Sequence, residues 1–114
     1  MGTCLFCDIV AGEIPCTEVH RDSEFLAFRD IDPKAPSHIL VIPHRHVPAL
    51  STLGDQDADM MGRLLLTATR IAADEGLAHQ GYRFVINSGD HGGQTVDHLH
   101  LHILGGRPMR WPPG

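Results

Sequence analysis

Hydrophobic and polar positions alternate most sharply between Asp97 and Leu104. There DHLHLHIL sets His98, His100 and His102 against Leu99, Leu101 and Ile103. Successive side chains of an extended chain point to opposite faces, so this segment predicts a strand with a leucine face and a histidine face. Alternating or β-branched runs bounded by turn residues predict further strands at Glu18–Arg21, Glu24–Ile31 (EFLAFRDI), Ser37–Pro43 (SHILVIP) and Tyr82–Asn87 (YRFVIN). Asp32-Pro33 and Ala35-Pro36 mark a turn, because proline pushes its predecessor out of the helical region. A different period governs residues 54–75. Met61, Leu64, Leu65, Ala68, Ile71 and Ala72 recur at helical spacing and predict one long helix. Gly76 suits the position just past its end, with Leu77 packing back, and Gly62 inside it lowers its propensity by about 1 kcal/mol. Cys4–Ala11 is apolar enough for one or two helical turns, ended by Gly12 and Pro15. SGDHGGQTVD reads as a loop, and the tail RPMRWPPG has no period.

The order is therefore short helix, three strands, long helix, two strands. It predicts a single α+β domain over residues 1–114, a five-stranded antiparallel sheet with one long and one short helix on one face. The leucine face of the triad strand would pack under the long helix, leaving the histidine face for something polar.

Composition narrows the functions. A net charge of −5 with neutral histidines argues against non-specific nucleic-acid binding, which needs a basic face to release phosphate counterions. A small nucleotide stays possible, because a pocket can be locally positive on an acidic protein. No run approaches the roughly 18–20 apolar residues of a membrane span. MGTCLFCDIV has no basic region ahead of an apolar core, so the chain is expected to be cytoplasmic, with neither membrane nor nucleic acid as partner. Three cysteines in such a setting do not suggest a disulfide framework.

Three rings on one strand face admit three readings: a solvated face, a metal site, or a catalytic array in which one neutral imidazole attacks phosphorus and its neighbours move protons. The preceding NSGDHGGQTVD brings glycine-rich backbone, including Gly93, beside the histidines, where exposed N–H groups can cradle an anion. Gln94 and Thr95 add neutral donors. Together with the triad, this loop points to phosphate.

His98-Leu99-His100-Leu101-His102-Ile103-Leu104 matches the His-φ-His-φ-His-φ-φ signature of the histidine-triad (HIT) superfamily. GGQTVDHLHLHILGG and the ending WPPG resemble its Hint-like branch of nucleoside phosphoramidases and nucleotide-binding proteins, as do EIP, FLAFRDIDPKAPSHILVIP and YRFVINSG. The resemblance implies hydrolysis of purine nucleoside 5′-phosphoramidates to the nucleoside monophosphate and an amine. His100 would attack the α-phosphorus, while His102, His98 and His38 flank it. Asn87, Gln94 and Thr95 would hold phosphate oxygens or lie near the leaving group. Asp30 would bind the ribose hydroxyls. Phe6, Ile9, Ile14, Phe28 and Ile31 would wall the purine pocket. The resemblance further implies a homodimer joining two sheets, with Trp111 reaching the partner's site, and no cofactor for catalysis. A dinucleoside polyphosphate hydrolase of the same fold is the alternative, as is a nucleotide-binding protein without turnover. A polyphosphate leaving group would want more basic residues near the mouth than the sequence places there.

Cys4-Leu5-Phe6-Cys7 departs from the best-known eukaryotic Hint proteins. Cysteines at this spacing are typical zinc ligands, although an idle pair or a redox pair has the same spacing. Some bacterial HIT proteins hold structural zinc with such a pair and two histidines. By that resemblance the ligands here are Cys4, Cys7, His46 and His98. Cys16 has no assigned partner, and His20, His44, His79 and His91 read as surface residues.

Overall fold

In a computed structural model, which describes residues 4–114, the apolar run Ser37–Pro43 becomes β3, the central strand of a five-stranded antiparallel sheet. The reading of the N-terminus as free of a targeting signal rests partly on residues 1–3, outside the described residues. The other strands are β1 (Glu18–Arg21), β2 (Phe25–Arg29), β4 (Tyr82–Val85) and β5 (Leu101–Gly105), in the spatial order β1-β2-β3-β5-β4. Nearly every residue of β3 is buried because both faces of the sheet are covered.

Period-2 alternation gives each face its own apolar set. Phe25, Ala27, Ile39, Val41, Leu101 and Ile103 pack against Leu64, Ala68, Ile71 and Ala72 of α2 (Ala58–Asp74). The intervening residues Leu26, Phe28, Leu40 and Ile42 pack against Phe6 and Ile9 of α1 (Leu5–Val10). The two helices thus lie on opposite faces, not together on one face as expected. The second apolar set needed its own cover, and α1 supplies it over the histidine face.

The α2 stripe also differs in detail. Met60 and Thr67 are buried, while Leu65 is 42% exposed, one step outside the stripe. The triad strand is shorter than its alternation predicts. The ladder starts at Leu101, and the carbonyl of Pro43 is taken by the His98 ring at 2.9 Å. Leu99 nevertheless stays under α2 through its N–H bond to Val47 O at 2.7 Å. The glycine loop contains a single helical turn, α3 (Gly89–Gly92). No helix among the described residues is long and apolar enough to cross a membrane.

Glycine has two distinct roles around α2. Gly76 has φ +78° and closes the helix: its N–H bonds Ala73 O at 3.0 Å, and Leu77 N–H bonds Ala72 O at 2.9 Å, with Leu77 buried beneath. Gly62 is an exposed interior position where an added Cβ meets nothing within 4 Å. Gly62→Ala is therefore expected to stabilise the protein by about 0.5–1 kcal/mol, from backbone entropy alone. Gly76→Ala should destabilise it by about 1–2 kcal/mol, the cost of a Cβ in the left-handed region. Urea midpoints should move in opposite directions; a shared direction would refute the assignment of the two roles.

Candidate active site

A cavity of about 280 Å³ opens on the histidine face, between α1, the chain that follows it, the end of β2, the middle of β3, and the start of β5 with the segment entering it. Phe6, Ile9, Ile14, Phe28 and Ile31 line it, with Asp30, Thr95, His100 and His102. Ile31 is almost wholly exposed at the rim, whereas Phe6 and Ile9 are also part of the core. Leu5, Pro15, Cys16, Leu40 and Val96 join the lining without having been identified from the sequence. Leu40 was within reach of pattern reasoning: it stands two residues after His38 on β3 and pairs with His102.

The protons on the rings follow from their partners. His100 Nδ1 lies 2.7 Å from the backbone carbonyl of His98, an acceptor only, so Nδ1 carries the hydrogen and Nε2 keeps its lone pair. The backbone N–H of Lys34 donates to His38 Nδ1 at 3.0 Å. Neutral His38 then bears its hydrogen on Nε2 and donates to His102 Nδ1 at 2.8 Å. That leaves His102 Nε2 as the N–H, a buried atom with no protein partner. Asp30 Oδ2 stands 3.5 Å from His38 Nε2, and Asp30 Oδ1 accepts from Asp32 N–H at 2.8 Å.

Burial holds His38 below the ordinary imidazole range and pushes His102 down to about 4, helped there by possible charge on His100 and His38. Both rings are neutral at pH 7. The unfolded chain takes up these protons first, near 6.5, so stability is complete above that pH and falls as the pH drops towards about 4. Denaturant midpoints between pH 7 and 4.5 should show the decline. His102→Gln should flatten part of it; an unchanged slope would show that His102 is not the source.

His98 is fully buried and turns away from the cavity. Phe6 stands edge-on to both His98 and His100, with ring centroids 5.9 and 5.2 Å away. His100 and His102 stay neighbours, their centroids 5.0 Å apart. Two of the donors expected to hold phosphate, Gly93 and Gln94, are engaged elsewhere. Gly93 N–H bonds Asp90 O at 3.1 Å. The Gln94 amide accepts from Gly89 N–H and donates to Pro48 O and Val96 O, bracing the loop beside Thr95. Asn87 does not line the cavity. Trp111 is 80% exposed and lies under the Arg83 guanidinium, 5.9 Å from its ring centre, away from its own chain's cavity. His44 is half-buried rather than superficial, with an unpartnered buried Nε2.

Behind the cavity, Cys4, Cys7, His46 and His98 converge, one donor atom from each within 4.8 Å of the others. Cys4 Sγ and His46 Nδ1 each lie 3.3 Å from His98 Nδ1, Cys7 Sγ lies 3.3 Å from His46 Nδ1, and Cys7 Sγ lies 3.6 Å from His98 Nδ1. His98 gives its Nε2–H to Pro43 O, so its Nδ1 presents a lone pair to the cluster. A zinc tetrahedron with bonds of about 2.0–2.1 Å to nitrogen and 2.3 Å to sulfur has edges of about 3.3–3.8 Å. The donor set and its spacing therefore fit zinc. Without metal, burial and the neighbouring Cys4 push the Cys7 thiol up to about 11.

The family model described as HIT domain matches residues 11–109. A HIT-like protein of Synechocystis is 51% identical over 110 residues, covering 96% of both chains. The adenylylsulfatase HINT1 of Arabidopsis thaliana is 49% identical over 112 residues, 96% of this chain and 76% of that protein. The crystal structure of a HIT family hydrolase from Legionella pneumophila is similar with a TM-score of 0.96 at 50% identity, over 98% of this chain and 100% of that one. A zinc-bound histidine triad family protein from Mycobacterium smegmatis is similar with a TM-score of 0.77 at 33% identity, over 92% of this chain and 76% of that one.

Proposed function

The chain belongs to the HIT domain family, and from that membership and the geometry of the cavity we propose that it hydrolyses purine nucleoside 5′-phosphoramidates to the nucleoside monophosphate and an amine. One observation carries the reading: His100 gives its Nδ1 hydrogen to a backbone carbonyl, so its Nε2 lone pair is free, and the ring lines a largely apolar cavity that also holds Asp30. Nε2 attacks the α-phosphorus, the P–N bond breaks, and the departing nitrogen takes up a proton. Water then attacks the nucleotidyl-histidine, breaking the N–P bond and restoring His100. Two displacements predict retention at phosphorus. The unpartnered Nε2–H of His102 is suited to donate to a phosphoryl oxygen or the leaving group. Asp30 is suited to a ribose diol, and the apolar walls to a flat base. The name of the Arabidopsis relative, an adenylylsulfatase, supports nucleotidyl chemistry. Zinc on Cys4, Cys7, His46 and His98 would supply a structural cross-link between α1 and the sheet. The reading includes a homodimer in which Trp111 serves the partner's cavity; its exposure away from its own supports this.

A second reading, hydrolysis of dinucleoside polyphosphates, is favoured by a different observation. Arg83, Arg107 and Arg110 gather in one pocket with Leu104. Leu104 pairs with both His38 and Arg83, which sets Arg83 on the histidine face. Among the described residues no carboxylate forms an ion pair with these three arginines.

Product analysis tests both. AMP release from adenosine 5′-phosphoramidate, persisting at saturating substrate under a chelator, supports the first. Turnover of a dinucleoside polyphosphate alone supports the second. Complete loss of turnover on chelation, at saturating substrate and with the fold intact, would count against a metal-free histidine mechanism.

A further inference from the structure

The four-donor cluster and the cavity are built from shared parts. The first is α1. Cys4 at its N-cap and Cys7 supply both sulfurs, while Leu5, Phe6 and Ile9 wall the cavity. The second is His98, whose ring belongs to the cluster and whose backbone carbonyl holds the His100 Nδ1 hydrogen at 2.7 Å. The Phe6 ring bridges the two, edge-on to His98 and His100. A helix of six residues is too short to hold itself together, so its place depends on what anchors it. Its described anchors are the packing of Phe6, Ile9 and Val10, the Glu13 and Ile14 N–H bonds to Asp8 O, one long Arg21 bond to Val10 O at 3.4 Å, and the two cysteines.

We propose that a tetrahedral divalent metal on Cys4, Cys7, His46 and His98, zinc by its donor set, is energetically coupled to the cavity: the loaded cluster tightens nucleotide binding, and bound nucleotide tightens the metal. The inference rests on the nucleotide reading of the cavity. Cross-linking α1 to His46 and His98 orders one wall of the cavity in advance, so a nucleotide arriving afterwards does not bear that ordering cost. It also fixes the His98 backbone that orients His100. Phe6 and His98 are thus positioning residues, acting on the site through the wall and through His100. Coupling of this kind is reciprocal by thermodynamic necessity.

The test is calorimetric titration of AMP into the full chain, loaded with zinc and stripped by a chelator, with circular dichroism reporting the fold. Stripping should weaken AMP binding about tenfold, within the roughly 5- to 150-fold range of such couplings. Equal affinity for the loaded and the folded stripped chain overturns the proposal. A second measurement needs only the loaded chain, which covers the case where the stripped chain unfolds: the rate at which excess chelator removes zinc, with and without saturating AMP. AMP should slow that loss several-fold, and an AMP-independent rate overturns the coupling. Failure of the loaded chain to bind AMP at all would instead remove the nucleotide reading, and the coupling with it.

Discussion

His100→Ala is expected to lower kcat by at least about 10⁴-fold while AMP still binds, the effect of deleting the proposed nucleophile, which no other group replaces. His102 cannot take over, because its Nδ1 accepts from His38 and its Nε2 carries the hydrogen. His98 cannot either, since its ring faces the cysteine cluster. Leu99, Leu101 and Ile103 occupy the opposite face, so the core beneath α2 stays intact in this variant. Single-turnover reactions quenched in denaturant should show a nucleotidyl adduct by mass in the wild type and none in His100→Ala. A variant turning over within tenfold of the wild type would remove His100 from the nucleophile's role.

Leu101→Ala should do the reverse. Leu101 has no exposed surface and sits between β3 and α2. Truncation leaves a cavity and costs about 2–5 kcal/mol. That is a large share of the roughly 5–15 kcal/mol that keeps a domain folded. At about 4 °C per kcal/mol for a domain a little over 100 residues long, Tm should fall on the order of 10–20 °C. Turnover measured well below the new midpoint should stay near that of the wild type, because its neighbours His100 and His102 face the other way. A Tm within two or three degrees of wild type, given as about half a kcal/mol, would mean the core is not where it is placed.

These two outcomes are opposed because adjacent residues of one extended segment serve different faces. That much was readable locally. A β-branched apolar run marked β3, period-2 alternation the triad segment, helical spacing α2, and Gly76 its end; each depends only on neighbours in the chain. Glu18–Arg21 and Ser37–Pro43 fall where their patterns predict. Most of the cavity wall, from Phe6 to Ile31, came from the family resemblance rather than from periodicity.

Contacts between distant segments decided the rest. Six residues carry too little pattern to say which face they cover, and α1 went to the one whose apolar set α2 had left bare. The tautomer of His102 depends on Lys34 and His38, 64 residues from it in the case of His38. The separation of His98 from the other two rings depends on Pro43 and Cys4, 55 and 94 residues away. Arg83 meets Arg107 and Arg110 only because β4 lies beside β5 and the tail runs back along them. A strand's alternation states which side chains share a face. Which atoms they meet there, and so where each proton sits, is set by chain segments that alternation does not describe.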